Sequence, residues 1–547
     1  MPERYPVKAG WNAIWLPHDC FHAEISDLVP ASVEEIWRWN PLASTTQFTD
    51  SPSAPIQPDT QWFVWKNGIP LESTMTEFTP NAAYLIKVAE GSPDFTLELV
   101  GSPVPPVYRW KSSGVNLLGF PMQTPVDPTT RNFESFLSYS ADISAGPDIF
   151  KYDGGALGSN PVQVFAPLLE PVRRGQAYWI RSTQFSDYYG PLRVTVARSG
   201  LSFGDAGTIL SLRVANVTSE PVAATLAAVA SANAPPGQAA VAGEVPLRLR
   251  GGIDPATGQF QYDNFSAPVV QNLAAGQEVE LIFAVDRTAM IGAAGDVFQS
   301  ILQITDSTNI SRINLPVSAR VSSRSGLWVG AAVVSKVDQI TTSPSSVATT
   351  DPAGFSTDAD ASAPAAFPIR LILHRDDSAE MKLLQQVFVG EDAAGERIVA
   401  TAESFLEPAK IGDARRLSSA IFPLDTKVAG SGDDLGLTGS AMFTFSLPYD
   451  APTNPFVHTY HPDHDNKDAR FSAAPLPEGA ESSEVTRSIT LTFVSDPASL
   501  GVSDLEWGSA VLGGDYAETI TGLRAQAINV KGSFVLRRVS KIPILQD

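Results

Sequence analysis

The stretch Gly10-Trp11-Asn12-Ala13-Ile14-Trp15-Leu16-Pro17 decides how the first part of the chain is interpreted. It returns in altered form as Gly114-Val115-Asn116-Leu117-Leu118-Gly119-Phe120-Pro121. Both copies carry a glycine, an apolar residue, an asparagine, an apolar run and a proline. Glycine and asparagine favour turns, and the apolar run favours a strand. The element therefore predicts the start of a repeated domain. The residues with predicted structural roles in it are Gly10, Trp11, Asn12, Gly114 and Asn116.

Further blocks recur in the same order after each copy of this stretch. They pair Glu35–Asn40 with Phe133–Tyr139, Trp62–Gly68 with Ile149–Gly154, Asn81–Ile86 with Gly175–Ile180, and Phe95–Val100 with Leu192–Val196. Such an ordered series is not expected by chance. It predicts a tandem duplication of a small β-rich module of about 100 residues.

The chain of 547 residues is long enough for several domains, because a single core seldom serves more than about 300 residues. We expect repeat modules at 1–104 and 105–199, a sandwich at 200–322 and a C-terminal β domain at 323–547. Residues 338–366, rich in Ser, Thr, Asp and Pro, predict a long loop. The hairpins that end the chain favour an antiparallel β barrel or a curled sheet. The predicted class is therefore all-β.

Segment 200–322 contains about seven short stretches in which apolar and polar residues alternate. The phrase Leu212-Arg213-Val214-Ala215-Asn216-Val217, followed by Leu273-Ala274-Ala275-Gly276-Gln277, resembles bacterial immunoglobulin-like domains of surface and cell-wall proteins. The resemblance implies an immunoglobulin-like sandwich that serves as a spacer or a binding module.

The C-terminal segment carries Gly326 and Trp328 on its first predicted strand, and Arg537 and Arg538 on its last. This pattern is similar to that of the lipocalins, in which a tryptophan ring and a guanidinium meet where the barrel closes. The resemblance implies that Trp328 pairs with Arg537 or with its neighbour Arg538.

Taken whole, the chain resembles large bacterial multidomain β proteins. These combine a Gly-Trp-Asn repeat pair, an immunoglobulin-like domain and a C-terminal β domain with a stretch like that at 447–466. The resemblance implies an extracellular or cell-surface architecture and no particular activity. No signal peptide is visible at the start of the sequence, so a cytoplasmic location stays open.

The formal net charge is −21. It argues against a nucleic-acid partner, because phosphates attract clustered Lys and Arg. The sequence has no apolar run long enough for a membrane helix, so we expect no membrane insertion. Cys20 is the only cysteine, which leaves no partner for an intramolecular disulfide.

A cluster of potential metal ligands lies between residues 458 and 468, where three of the six histidines fall within seven residues. Imidazoles suit Zn²⁺, and the aspartates of the same loop offer the oxygen ligands that Ca²⁺ prefers. A polar hairpin loop with no metal explains the same residues. The candidate ligands are His458, His461, Asp463, His464, Asp465 and Asp468.

The stretch His18-Asp19-Cys20-Phe21-His22 is a second candidate. On a strand, His18, Cys20 and His22 would share one face and could bind Zn²⁺ or copper. A loop after Pro17 with a half-buried Cys20 is the alternative that this composition favours. The second repeat has no His or Cys at the matching place.

Aromatic residues are concentrated in the repeats, where eight of the ten tryptophans occur. Exposed aromatic rings bind sugars by stacking, so Trp37, Trp39, Trp62 and Trp65 are candidate ligand-binding residues. A small β module also needs large side chains in its core, and core packing is the alternative. The full aromatic set comprises Trp11, Trp15, Trp37, Trp39, Trp62, Trp65, Tyr84, Trp110, Tyr178 and Trp179.

The sequence contains none of the common nucleophile, zinc-protease, phosphate-loop or dinucleotide motifs. We therefore expect a non-enzymatic structural or adhesive component of a bacterial cell-surface or extracellular assembly. It would associate with itself or with other assembly proteins through sheet edges. A carbohydrate-binding protein that uses the aromatic repeats is one alternative. A metal-dependent hydrolase at residues 458–468 is another.

Overall fold

The structure is a computed structural model. It describes residues 1–41, 62–110, 114–124, 131–140, 143, 148–182, 184–198, 200–234, 237–340, 357–358, 361–407, 410, 413–419, 427–448, 451, 484–522 and 527–547. Most of its regular structure is β-strand, and the all-β class is confirmed. Two units are distinguished, Met1–Asp286 with Gly295–Val321, and Arg287–Ala294 with Ser322–Asp547. The boundaries of the four predicted domains stay predictions.

The first module is built on a four-stranded sheet with the order β2-β6-β4-β5, while β1 pairs with β7 and β3 with β8. Its elements are β1 (Pro2–Val7), β2 (Gly10–Leu16), β3 (His18–Asp19), α1 (Ile25–Leu28), β4 (Val33–Trp39), β5 (Trp62–Lys66), β6 (Ala82–Val88), β7 (Phe95–Val100) and β8 (Ser102–Pro103).

The second module repeats this sheet, because β9-β12-β10-β11 follows the same spatial order as β2-β6-β4-β5. Its elements are β9 (Gly114–Leu118), α2 (Phe133–Ser138), β10 (Ile149–Lys151), β11 (Val162–Gln163), β12 (Tyr178–Ser182) and β13 (Leu192–Val196).

Equivalent tyrosines make the same contact in both modules. The Tyr84 hydroxyl accepts a hydrogen bond from the backbone N–H of Thr79 at 2.6 Å. The Tyr178 hydroxyl accepts one from the N–H of Arg173 at 3.0 Å, again five residues upstream. A residue three positions before each tyrosine has a positive φ: Asn81 in the first module and Gly175 in the second. The turn before the central strand is therefore duplicated with its capping contact.

The predicted pairing of Phe133–Tyr139 with Glu35–Asn40 is wrong by one element. Phe133–Ser138 is a helix, because the side chain of Asn132 caps it by accepting a hydrogen bond from the N–H of Ser135. Its counterpart is α1, and β10 therefore takes the place of β4 in the sheet. The predicted pairing of Trp62–Gly68 with Ile149–Gly154 is wrong for the same reason, because β11 is the counterpart of β5.

The last strand of each module has a different partner. β7 pairs with β1. β13 instead pairs with β15 (Ile209–Asn216), a strand of the following sandwich. Leu192–Val196 therefore does not close the second module as predicted. Among the described residues that module has no strand in the place of β1, so β13 takes its hydrogen bonds from the next sheet.

The glycine and asparagine of the opening stretch lie at the turn where β2 begins. Gly10 has a φ of 85°, and a Cβ there would lie 2.1 Å from the carbonyl oxygen of Gly155. Asn12 fixes the preceding turn, since its side chain accepts from the N–H of Lys8 and donates to the carbonyl of the same residue. Trp11 and Asn116 are buried.

Two sheets follow, with the orders β13-β15-β21-β18-β19 and β14-β23-β22-β16-β20, and β17 pairs with β22. Burial alternates along their strands, as in the predicted sandwich: Leu212 and Val214 are buried in one sheet, Leu302 and Ile304 in the other. The remaining strands are β14 (Leu201–Ser202), β16 (Val222–Ala230), β17 (Val241–Gly243), β18 (Leu247–Ile253), β19 (Phe260–Asn264), β20 (Val269–Leu273), β21 (Glu278–Val285), β22 (Val297–Asp306) and β23 (Arg312–Arg320).

The second unit contains a closed eight-stranded barrel with the order β24-β27-β28-β32-β33-β34-β35-β36, and a small sheet with the order β31-β29-β30-β37. The strands are β24 (Gly326–Val337), β25 (Gln339–Ile340), β26 (Thr357–Asp358), β27 (Ser362–Arg375), β28 (Met381–Leu384), β29 (Gln386–Glu391), β30 (Arg397–Ala400), β31 (Arg415–Ser418), β32 (Lys427–Gly432), β33 (Ser440–Leu447), β34 (Val485–Phe493), β35 (Val511–Thr521), β36 (Ile528–Ser540) and β37 (Leu545–Gln546).

The structure differs from the predicted loop at 338–366 at both of its ends. β25 pairs with β26, and β27 already begins at Ser362, where it pairs with Lys336 of β24. Small residues such as Ala and Ser give little hydrophobic pattern, so the pairing there follows the register of β24 instead. The rest of the predicted loop lies outside the described residues.

Candidate functional site

Three tryptophans lie on one face of the β4–β5 pair. Trp39 is opposite Trp62, and Trp37 is opposite Val64. Because side chains alternate along a strand, Trp37, Trp39 and Trp62 share a face. The rings of Trp37 and Trp62 meet edge to face at 6.3 Å between centroids.

The second module adds a fourth indole to this group. The ring of Trp179, on β12, lies 5.6 Å from that of Trp39 and 6.2 Å from that of Trp62, edge to face in both cases. Its Nε1 donates to the hydroxyl of Tyr152 at 3.4 Å. We call Trp37, Trp39, Trp62 and Trp179 the indole cluster. Trp179 belongs to the aromatic set of the repeats, but the comparison of the repeats does not predict its place in this cluster, because its counterpart in the first repeat is Leu85.

Burial divides the four predicted ligand-binding residues. Trp39 and Trp62 are half-buried and present ring surface to solvent. Trp37 and Trp65 are 5% and 7% exposed, so they are core residues and not part of a platform. Trp65 belongs to the opposite face of the sheet, where it packs in the core with Ile36 and Tyr84.

Charged groups adjoin the indole cluster. A carboxylate oxygen of Glu35 accepts from Nε1 of Trp37 at 2.8 Å. The ammonium of Lys87 donates to the other oxygen of Glu35 at 3.1 Å and pairs with Glu34 at 3.1 Å. The hydrogen bond to Glu35 is the largest of the effects that raise the pKa of Lys87. The fixed carboxylate and ammonium therefore adjoin the buried ring of Trp37, at the other end of β4 from Trp39.

The His18–His22 stretch does not converge on a metal site. His18 is on β3 and 1% exposed. The backbone turns left-handed at Phe21 and His22, and the exposed His22 bonds to Glu77 at 2.8 Å. Cys20 packs in the hydrophobic core, where burial raises its pKa to about 12. His18, Cys20 and His22 do not share one face of a strand as predicted, because the strand ends at Asp19.

His18 itself is a buried titratable group. Neither ring nitrogen has a hydrogen-bond partner among the described residues. Burial lowers the pKa of His18 to about 4, against the opposing effect of Glu3. For Glu3, burial would raise the pKa, but Arg174 and Arg312 bring it below the ordinary value. A neutral imidazole thus lies near a buried ion pair of Glu3 and Arg174.

The predicted metal ligands His458, His461, Asp463, His464, Asp465 and Asp468 lie outside the described residues. Within the described ranges, no group of three or more His, Cys, Asp or Glu residues is arranged to hold a metal ion. Binding of Ca²⁺ or Zn²⁺ therefore stays a prediction for the 458–468 segment.

The barrel closes on an aromatic–arginine pair, but the arginine is Arg538. Its guanidinium carbon lies 5.6 Å from the ring centroid of Trp328, which is fully buried. Arg537, the first of the two candidates, instead pairs with Asp504 and Glu506. A register shift between Leu327 and Trp328 sets Arg538 opposite Trp328. The sequence could not place that shift.

Comparisons with known proteins identify no family. No family model matches the chain, and no curated protein does. Solved structures with weak similarity include a PapD-like domain of human CEP192, with 9% identity over 24% of this chain and 84% of that one, and a TM-score of 0.15. A Bacteroides ovatus protein of unknown function has 9% identity, 64% and 95% coverage and a TM-score of 0.16. The Vibrio cholerae VesB protease has 8% identity over 58% of this chain and 99% of that one, with a TM-score of 0.14. Scores this low support no conclusion.

The α-helices that the structure describes are short. Among the described residues, none has both the length and the apolar character of a membrane-spanning helix.

Proposed function

We propose that the protein is a non-enzymatic structural or adhesive component of a bacterial cell-surface or extracellular assembly. In this proposal, copies of the chain associate through an open sheet edge of the sandwich. The observation that carries the proposal is the hairpin formed by β18 and β19, which we call the edge hairpin.

The edge hairpin extends beyond the sheet that carries it. β18 pairs with β21 only from Leu247 to Leu249, whereas its pairing with β19 continues to Ile253. β19 is the last strand of its sheet, so its outer edge has no partner strand among the described residues. Ile253 and Phe260 near the tip are 58% and 49% exposed. An extended edge with exposed apolar residues is a template for strand pairing.

The backbone of β19 presents free groups along this edge. The N–H of Phe265 bonds to the carbonyl of Leu247, across the antiparallel pair. Because hydrogen-bonding direction alternates along an antiparallel strand, the backbone groups of Tyr262 and Asn264 point away from β18. They could therefore accept a further strand without breaking the hairpin.

A second copy of β19 fits this edge. In an antiparallel pair centred on Tyr262, Phe260 lies opposite Asn264, and Gln261 lies opposite Asp263. Asp263 is the only charged residue of β19, so no like charges face each other directly. A self-complementary edge of this kind suits a two-fold contact between identical chains.

Sedimentation velocity over a range of concentrations tests the proposal. We expect the wild-type chain to associate reversibly. Tyr262→Lys should weaken association at least about tenfold, because it sets two ammonium groups opposite each other at the two-fold axis. Tyr262→Phe is the matched control and should associate like the wild type. A wild-type chain that stays monomeric, or equal association of the two variants, would contradict the proposal.

A second candidate function is glycan binding at Trp39 and Trp62. Their half-exposure favours it, because sugar rings stack on accessible aromatic faces. A glycan array with the wild type and with Trp39→Ala tests it. Loss of binding in a folded variant supports the platform, and an array without binding removes it.

A further inference from the structure

A cleft of about 300 Å³ lies within the first unit, between the sandwich and the first module. Its floor is the outer face of β22 and β23, where Gln299 lies opposite Ser318 and Ile301 opposite Pro316. One wall comes from the first module, through Phe21 and Pro103. The volume is at the lower end of the range of small-molecule sites.

The polar groups of this cleft are almost all neutral. The Gln299 side chain is half-buried, and its amide has no hydrogen-bond partner among the described residues. The Ser318 hydroxyl donates to that of Ser202 at 3.3 Å. Asn233 and Gln238 stand exposed at the rim. Arg320 is the one charged side chain on the walls that the structure describes.

Phe21 is held in an unusual conformation at the wall. Its φ is 59°, and the next residue, His22, has a φ of 58°. A left-handed conformation is unfavourable for a residue other than glycine. The turn is held because the carboxylate of Asp19 accepts from the N–H of Phe21 at 2.9 Å, and because His22 bonds to Glu77. Strain of this kind is common at binding sites.

We infer that this cleft binds a neutral saccharide unit. The two cations that the structure describes in the cleft are the Met1 ammonium, which donates to the carbonyl of Gly101 at 2.7 Å, and Arg320, which also has a partner. An anionic ligand would compete with those partners, and an apolar ligand would bury the unpaired Gln299 amide without a partner. A sugar offers hydroxyls to the amides and serines and an apolar ring face to Phe21. The site is separate from Trp39 and Trp62, and a monomeric chain would carry it equally well.

Saturation-transfer NMR with maltose, cellobiose and N,N′-diacetylchitobiose tests the inference on the full chain. We expect transfer from the wild type to at least one of these disaccharides. Gln299→Leu should weaken its binding about tenfold, which corresponds to one lost hydrogen bond. Phe21→Asn should weaken it too, because asparagine tolerates the left-handed conformation but removes the ring.

Two further variants serve as controls. Gln303→Leu changes the same residue type on the same face of β22, outside the cleft, and should bind like the wild type. Trp62→Ala removes ring surface from the other candidate glycan site, so saturation transfer that persists in this variant comes from the cleft. The inference is overturned if no disaccharide receives saturation transfer from the wild type, or if Trp62→Ala abolishes that transfer. It is also overturned if Gln299→Leu and Gln303→Leu bind the disaccharide equally well, or if a peptide that is not a sugar, trialanine, displaces the disaccharide.

Discussion

The barrel of the second unit has no sheet edges, whereas the sheets of the first unit are open. In the second unit, every strand of the barrel has two neighbours, because β24 pairs with both β27 and β36. In the first unit, the sheets stay open and end on strands such as β5, β19 and β20. Closure removes free backbone groups, whereas an open edge offers them to another chain. The association that we propose therefore falls on the open edges of the first unit, and the closed barrel offers no such edge.

The interior of the barrel is filled by packed hydrophobic side chains. Its core cluster includes Trp328, Leu371, Phe443 and Phe534, all nearly inaccessible to solvent. The buried Glu518 is matched by Arg487 and by the hydroxyl of Tyr516, which donates at 2.7 Å. Satisfied buried charges of this kind do not need an external ligand.

Removing the ring of Trp328, where the barrel closes, should have the largest effect on stability. Trp328→Ala should destabilise the second unit by about 3–5 kcal/mol, as for a fully buried tryptophan. Differential scanning calorimetry would show a lower transition for this unit and an unchanged one for the first. Val539→Ala, at an exposed site on the neighbouring strand β36, should stay within about 0.5 kcal/mol of the wild type. A shift of both transitions would mean that the units do not unfold separately.

Acid should weaken the first unit through His18. Above pH 6.5 the imidazole is neutral in both states. Between pH 6.5 and about 4 it binds a proton only when unfolded, because its folded pKa is about 4. The free energy of unfolding should therefore fall by about 3 kcal/mol across this window. Urea titrations followed by tryptophan fluorescence report mainly on the first unit, which holds eight of the ten tryptophans. His18→Phe should lose this part of the pH dependence, and an unchanged slope would contradict the assignment.

The duplicated tyrosine contact should matter equally in both modules. Tyr84→Phe and Tyr178→Phe each leave a backbone N–H without its acceptor, at a cost of about 1–3 kcal/mol. Chemical denaturation of the two variants measures this. Tyr139→Phe is the control and should cost less than about 0.5 kcal/mol. Clearly unequal losses for Tyr84 and Tyr178 would show that the two turns are not equivalent.

Local patterns could predict the repeat and the barrel, but not their registers. Gly10, Asn12, Tyr84 and Tyr178 carry the duplication, since glycine, asparagine and a capping tyrosine are needed at fixed places in a turn. The misaligned block at Phe133 shows the limit, because a short apolar stretch suits both a helix and a strand. The cap at Asn132 decided between them.

The candidate sites were less predictable, because burial depends on contacts between distant segments. Trp39 and Trp65 belong to the same set of recurring aromatics, yet only Trp39 keeps exposed ring surface. Trp179 joins the indole cluster from the other module. Arg538 replaces Arg537 through a one-residue register shift, which reverses the direction of every side chain beyond it.

Hydrogen–deuterium exchange at low and high protein concentration tests the contrast between open and closed edges most directly. The outward amides of Tyr262 and Asn264 should exchange more slowly as concentration rises, because a second copy of β19 would occupy them. Amides of β24 and β36, already paired within the barrel, should not change. Exchange in β19 that is independent of concentration, or protection that rises instead at β20, would contradict association through the edge hairpin.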